Sequence, residues 1–192
     1  MLREYSAIAV NPLPSGARLA QNRPSARVAI DAPALEVMTD LEAVAAASVA
    51  PERPIDEANA MMIRRGVRLL FVVDRAGAIA GIITATDLLG EKPLRFQQER
   101  GVMRGEVLVA DIMTPASGLD ALSMRDIGHA RVGHIVATLK ALGRQHALVA
   151  DMDGRRIRGL FSASHVARRL GVDLQTSEVA QTFAQIEAAL AH

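Results

Sequence analysis

The chain has 192 residues, half of them apolar, with only four Phe, one Tyr and no Trp, so it can fill a core from aliphatic side chains but offers no aromatic platform for stacking bases. Its 22 basic and 21 acidic residues leave a net charge of +1, which excludes a global field steering it to a polyanion, and the lack of cysteine excludes disulfides, thiolate metal sites and a cysteine nucleophile. Nucleic acid is therefore not an expected partner, nor is a membrane, because no stretch is long and apolar enough for a signal or a span; the cytoplasm is the default compartment.

Residues 1–27 hold Pro12, Pro14, Pro24 and Gly16 among scattered Asn, Arg and Ser, and this composition predicts a flexible or extended arm. From Val28 onward the chain can be compared with itself. Val37-Met38-Thr39 leads to an apolar stripe at Ile55, Ala58 and Met62 that ends at Gly66, which predicts a helix with a glycine stop. Leu69 to Val73 is an apolar run of strand length, Asp74 to Gly77 has turn chemistry and Ala78 to Ile83 is the returning strand, so a first unit at 28–90 is expected to hold a hairpin covered by helices. Residues 91–106, with Pro93, Gly101 and Gly105, read as a polar connector.

A second unit at 107–171 repeats the order. Ile112-Met113-Thr114 precedes an apolar face at Val132, Ile135, Val136, Leu139 and Leu142 that stops at Gly143. A strand then ends at Asp151, Gly154 makes a turn, and Gly159-Leu160-Phe161-Ser162-Ala163-Ser164-His165 matches Gly81-Ile82-Ile83-Thr84-Ala85-Thr86-Asp87. Residues 172–192 carry Val179, Phe183, Ile186 and Leu190 at helical spacing, an amphipathic helix whose apolar face has no counterpart inside the repeats and so points to a homodimer.

Met-Thr, a helix ending in Gly, an apolar strand ending in Asp, a Gly turn and Gly-h-h-Thr/Ser-x-x-Asp, all occurring twice, resemble the cystathionine-β-synthase (CBS) domain. A tandem pair, or Bateman module, would cover roughly residues 35–171. The resemblance implies an α/β (α+β) fold of two β-α-β-β-α repeats packed sheet to sheet with pseudo-twofold symmetry. It also implies two clefts that take adenosine-containing ligands such as AMP, ATP or S-adenosylmethionine.

The residues agree with such a cleft. Thr84-Ala85-Thr86-Asp87 delivers two hydroxyls and a carboxylate at a helix start, where free N–H groups favour phosphate and Asp87 can accept from both ribose hydroxyls. Small Gly81 and Ala85 leave room for a ligand. The same Thr-x-x-Asp is also an N-capping arrangement, and the two readings can coexist. By resemblance, Thr114 from the opposite repeat faces this ligand, Ile82 lies against the adenine, and Arg68 and His146 stand where basic phosphate contacts occur; Arg68 reads equally as a solvated arginine. The second cleft, at Ser162, Ser164, His165 and Thr39, is expected to be empty or weak, because a neutral imidazole cannot receive both ribose hydroxyls.

Other chemistries have less support. His129 and His134 are not at the i, i+4 spacing of a helical metal pair, and Arg155, Arg156, Arg158, Arg168 and Arg169 flank a turn and a helix face where solvated charge is usual. No metal, cofactor or catalytic residue is expected, since the chain has no nucleophile elbow, complete P-loop or dinucleotide fingerprint. The expected function is a non-catalytic regulatory module that reversibly binds an adenine nucleotide and signals to an unknown protein partner or through self-association. The alternative is an interaction module with vestigial clefts that serves assembly alone.

Overall fold

A computed structural model describes residues 27–172 and 179–190; the arm expected over 1–27 lies outside them except for its last residue, as do the side chains of Val179 and Leu190. The strands are β1 (Thr39–Asp40), β2 (Ser48–Val49), β3 (Leu69–Val73), β4 (Ile79–Thr84), β5 (Thr114–Pro115), β6 (Ala121–Ser123), β7 (His146–Ala150) and β8 (Ile157–Ser162). The helices are α1 (Ile55–Arg65), α2 (Ala85–Leu89), α3 (Lys92–Arg100), α4 (Val109–Ile112), α5 (Met124–Ile127), α6 (Val132–Leu142), α7 (Ala163–Leu170) and α8 (Val179–Leu190).

Two four-stranded sheets form, ordered β2-β3-β4-β5 and β1-β8-β7-β6, so the opening strand of each repeat crosses into the sheet of the other. Thr114 of β5 pairs opposite Ile82 of β4, and Thr39 of β1 opposite Leu160 of β8. This crossing explains the glycines of the repeated motif. A Cβ on Gly81 would lie 2.3 Å from the Thr114 carbonyl oxygen, and one on Gly159 would lie 2.8 Å from that of Thr39. Gly81 therefore makes room for the backbone of the crossing strand and not, as expected from sequence, for a ligand.

Helix α1 buries Ile55, Ala58 and Met62, with Asp56 and Glu57 in its first turn and Arg64 and Arg65 in its last, each favourable to the helix dipole. Gly66 and Gly143 close α1 and α6 at φ 63° and 59°, a left-handed conformation that disfavours a side chain. Helix α6 buries Val132, Ile135, Val136 and Leu139, but Leu142 departs from the predicted stripe and is 45% exposed. The stretch read as a polar connector contains α3, of which only Pro93 is buried; its polarity marks an exposed helix with proline at its start.

Each sheet packs its helices over its own core. Crossing segments again trade places: Val107, Val109 and Ile112 lie in the core of the first sheet, and Val28, Ala34 and Val37 in that of the second. Between the sheets, Leu69, Phe71 and Leu148 form a third cluster, flanked by Ile82 and Leu160. Arg158 holds Asp40 and Glu42, and Arg156 holds Asp151 and Glu42, so part of the basic cluster fastens the first opening segment to the second repeat.

The C-terminal helix corrects an expectation. Phe183 and Ile186 are buried in the second core, next to α6 and α7, and Lys140 of α6 pairs with Glu187. The tail face thus finds its partner inside its own chain. The argument for a dimer from an unpaired tail does not stand.

Candidate functional site

The junction of β4 and α2 is a capping box that also carries the expected ligand-binding side chains. Oδ2 of Asp87 accepts the Thr84 amide at 2.8 Å and the Thr84 hydroxyl at 2.7 Å, and the Asp87 amide donates to Thr84 Oγ1 at 3.3 Å. On the other oxygen, Oδ1 accepts Lys92 Nζ at 2.5 Å. The capping reading is therefore realised. A carboxylate oxygen has two lone pairs, so Oδ2 is filled and only Oδ1 keeps a place for an incoming donor. Asp87 can accept one ribose hydroxyl, not the two expected from sequence, because Thr84 and Lys92 occupy the rest.

Thr84, Thr86, Asp87, Ile82, Thr114, Arg68 and His146 line one cleft of about 410 Å³. That size suits a small-molecule site. The facing wall comes from the second repeat: Thr138 and Leu142 at the end of α6, then Arg144 and Gln145 leading into β7, with Asp120 and Leu122 beside them. Sequence reasoning did not assign these residues, although Gly143-Arg144-Gln145 aligns with Gly66-Val67-Arg68 and could have directed attention there. It also missed Lys92, which was assigned to the connector.

Charge in the cleft is uneven. Burial, and then the charge of Arg68, push His146 down to about 4, while Asp87 opposes the shift. In the ligand-free chain His146 is therefore neutral at pH 7 and offers hydrogen bonds to the cleft, not a positive charge. Arg68 is exposed, and among the described residues no carboxylate lies within ion-pair distance of it. Arg144 is held by Asp120 at 3.7 Å. Arg68 thus lines the cleft as a cation that no carboxylate of the described residues holds.

The second constellation has the same placement and different chemistry. Thr39 lies on the strand beside β8, and Ser162, Ser164 and His165 follow at the start of α7. Here the hydroxyls of Ser162 and Ser164 pair with each other at 3.0 Å, and no side chain caps the helix. Burial, and the charges of Arg168 and Arg169, lower the pKa of half-buried His165, so this position presents a neutral ring where the first repeat presents a carboxylate. His134 caps α6 by accepting the Arg131 amide, and among the described residues no group of three metal-ligating side chains occurs. Nor, among them, is any helix long and apolar enough to cross a membrane.

The model of the CBS domain matches residues 34–93, which take in the first repeat from Ala34 onward and the start of α3. No curated protein matches the chain. Among solved structures, an uncharacterized conserved protein from Pyrococcus horikoshii is similar at 21% identity and TM-score 0.56, over 78% of this chain and 100% of the other. CBSX2 in complex with AMP is similar at 20% identity and TM-score 0.51, over 71% and 94%. A CBS-domain containing protein from Agrobacterium tumefaciens is similar at 18% identity and TM-score 0.52, over 67% and 88%. At these identities the likeness establishes the fold.

Proposed function

We propose that this chain, which carries a CBS domain at residues 34–93 and folds as a tandem CBS pair, is a regulatory module that reversibly binds an adenine nucleotide of AMP or ATP type. CBS domains are in general regulatory and non-catalytic. The observation that carries the reading is the gathering of Thr84, Thr86, Asp87, Ile82, Thr114, Arg68 and His146, drawn from both repeats, around a single cleft. Asp87 Oδ1 receives a ribose hydroxyl, the Thr86 hydroxyl and Arg68 meet the phosphate near the start of α2, and Ile82 and Thr114 bound the base. Support for the ligand class comes from the AMP complex of a protein with this fold.

A ligand that touches both repeats can bias their relative arrangement only by binding two states unequally. The signal then passes to a protein partner or through self-association in the cytoplasm. Self-association uses a face other than the tail: Ile63 on α1, Leu89 on α2, Leu94 on α3 and nearby Met103 are 58 to 75% exposed, and a second copy would cover them. The test is calorimetric titration with AMP, ADP, ATP, S-adenosylmethionine and NAD, together with melting curves. A ligand selective for the folded state raises the melting temperature by mass action and is recovered unchanged. If no member of the panel binds, the assembly-only reading takes its place; the use of Asp87 and Thr84 in a capping box already gives those residues a structural purpose.

A further inference from the structure

We propose that Lys92, which does not line the cleft, is a positioning residue for the ligand held there; the inference rests on the nucleotide-binding reading above. Its ammonium donates to Asp87 Oδ1 at 2.5 Å and to the Ile112 carbonyl at 3.3 Å. Ile112 ends α4, and the chain then runs through Met113 to Thr114, which pairs opposite Ile82 at the edge of the first sheet and lines the cleft. One cation therefore ties together the first turn of α2, the first turn of α3 and the segment that delivers Thr114.

The ion pair reaches in from outside: the Asp87 side chain is 11% exposed and that of Lys92 is 50% exposed. With Oδ2 filled by Thr84, Lys92 fixes the direction of the free lone pair on Oδ1 and hence where a ribose hydroxyl must lie. It also offsets a nearly buried negative charge that would otherwise repel a phosphate in the same cleft. The second repeat makes the same point by contrast. His165 stands for Asp87, and Leu170, at the same spacing beyond it, stands for Lys92; the repeat without the carboxylate is also without the lysine. Leu170 packs against the second core instead.

The test is calorimetric titration of AMP, 2′-deoxyAMP and 3′-deoxyAMP into the unmodified chain, Lys92→Met and Lys92→Arg, with ligand-free melting temperatures measured alongside. In the unmodified chain, loss of one of the two hydroxyls weakens binding and loss of the other does not. Lys92→Met weakens AMP by about tenfold or more and erases that discrimination, whereas Lys92→Arg stays within about threefold and keeps it. If Lys92→Met does not fold, Lys92→Leu supplies the comparison, since it also removes both donor and charge and is the residue type found at the equivalent position 170. AMP affinity and hydroxyl discrimination that survive the neutral substitution, with or without a lower melting temperature, overturn the inference and leave Lys92 a structural clamp. Absence of AMP binding to the unmodified chain instead overturns the nucleotide reading, and this inference with it.

Discussion

Asp87 caps its helix, and on the proposed reading it also receives the ligand, so its substitution reports on both. Asp87→Ala removes a charge-assisted acceptor worth about 1.5–3 kcal/mol, so AMP should bind roughly ten- to a hundredfold more weakly. It also removes the acceptor for the Thr84 amide, so the ligand-free fold should lose about 1 kcal/mol, measurable by denaturant titration. His165→Ala should leave AMP affinity unchanged. His146 gives a second residue-scale prediction. Its pKa lies near 4 in the folded chain against 6.5 as the ordinary value, so the unfolded chain binds more protons between these limits. Stability should be level above pH 7 and fall as the pH drops from about 6.5 toward 4, by at most about 3 kcal/mol, and His146→Gln should flatten that part of the profile. An imidazole that titrates above pH 6 by NMR would contradict the assignment. The types and spacing of Thr84, Asp87 and Thr114 were legible in the sequence because a repeated motif aligns them. Lys92 was not, because its bond to Asp87 crosses a helix boundary that composition marks only as polar.

Among the elements, the hairpins and long helices follow from periodicity and glycine stops, while the two-residue strands β1, β2 and β5 are too short to show any alternation. Helix α3 escaped because it buries only Pro93 and so has no apolar stripe to read. The contact between β4 and β5 gives a prediction of its own. Gly81→Ala drives a Cβ into the Thr114 carbonyl, so one strand must shift at a cost of about 1–3 kcal/mol, and AMP affinity should fall with it because Thr114 moves. A crystal structure or melting curve indistinguishable from the parent would contradict this. Helix α8 was legible as amphipathic, but its partner was not: a stripe states that a face needs cover without saying whose. Ile186→Ala, a fully buried position, should cost about 2–5 kcal/mol and leave the oligomeric state unchanged.

For the molecule as a whole, the difference between Asp87 and His165 implies about one nucleotide per chain, and two equivalent calorimetric sites would argue against it. Light scattering is expected to report a dimer at micromolar concentration, and Leu94→Glu should move it toward monomer if the first-repeat helix face is the contact. The exchange of opening strands has a consequence for how the chain is made. Synthesis runs from the N-terminus, so the edge of β4 waits without its neighbour until residue 115 has left the ribosome, while β1 waits far longer, until β8 is complete. A nascent chain that stalls within 91–106 therefore displays an open, apolar sheet edge ready to accept any extended segment. Neither repeat completes its sheet alone, and the edge of β4 is covered only when the second half of the chain arrives.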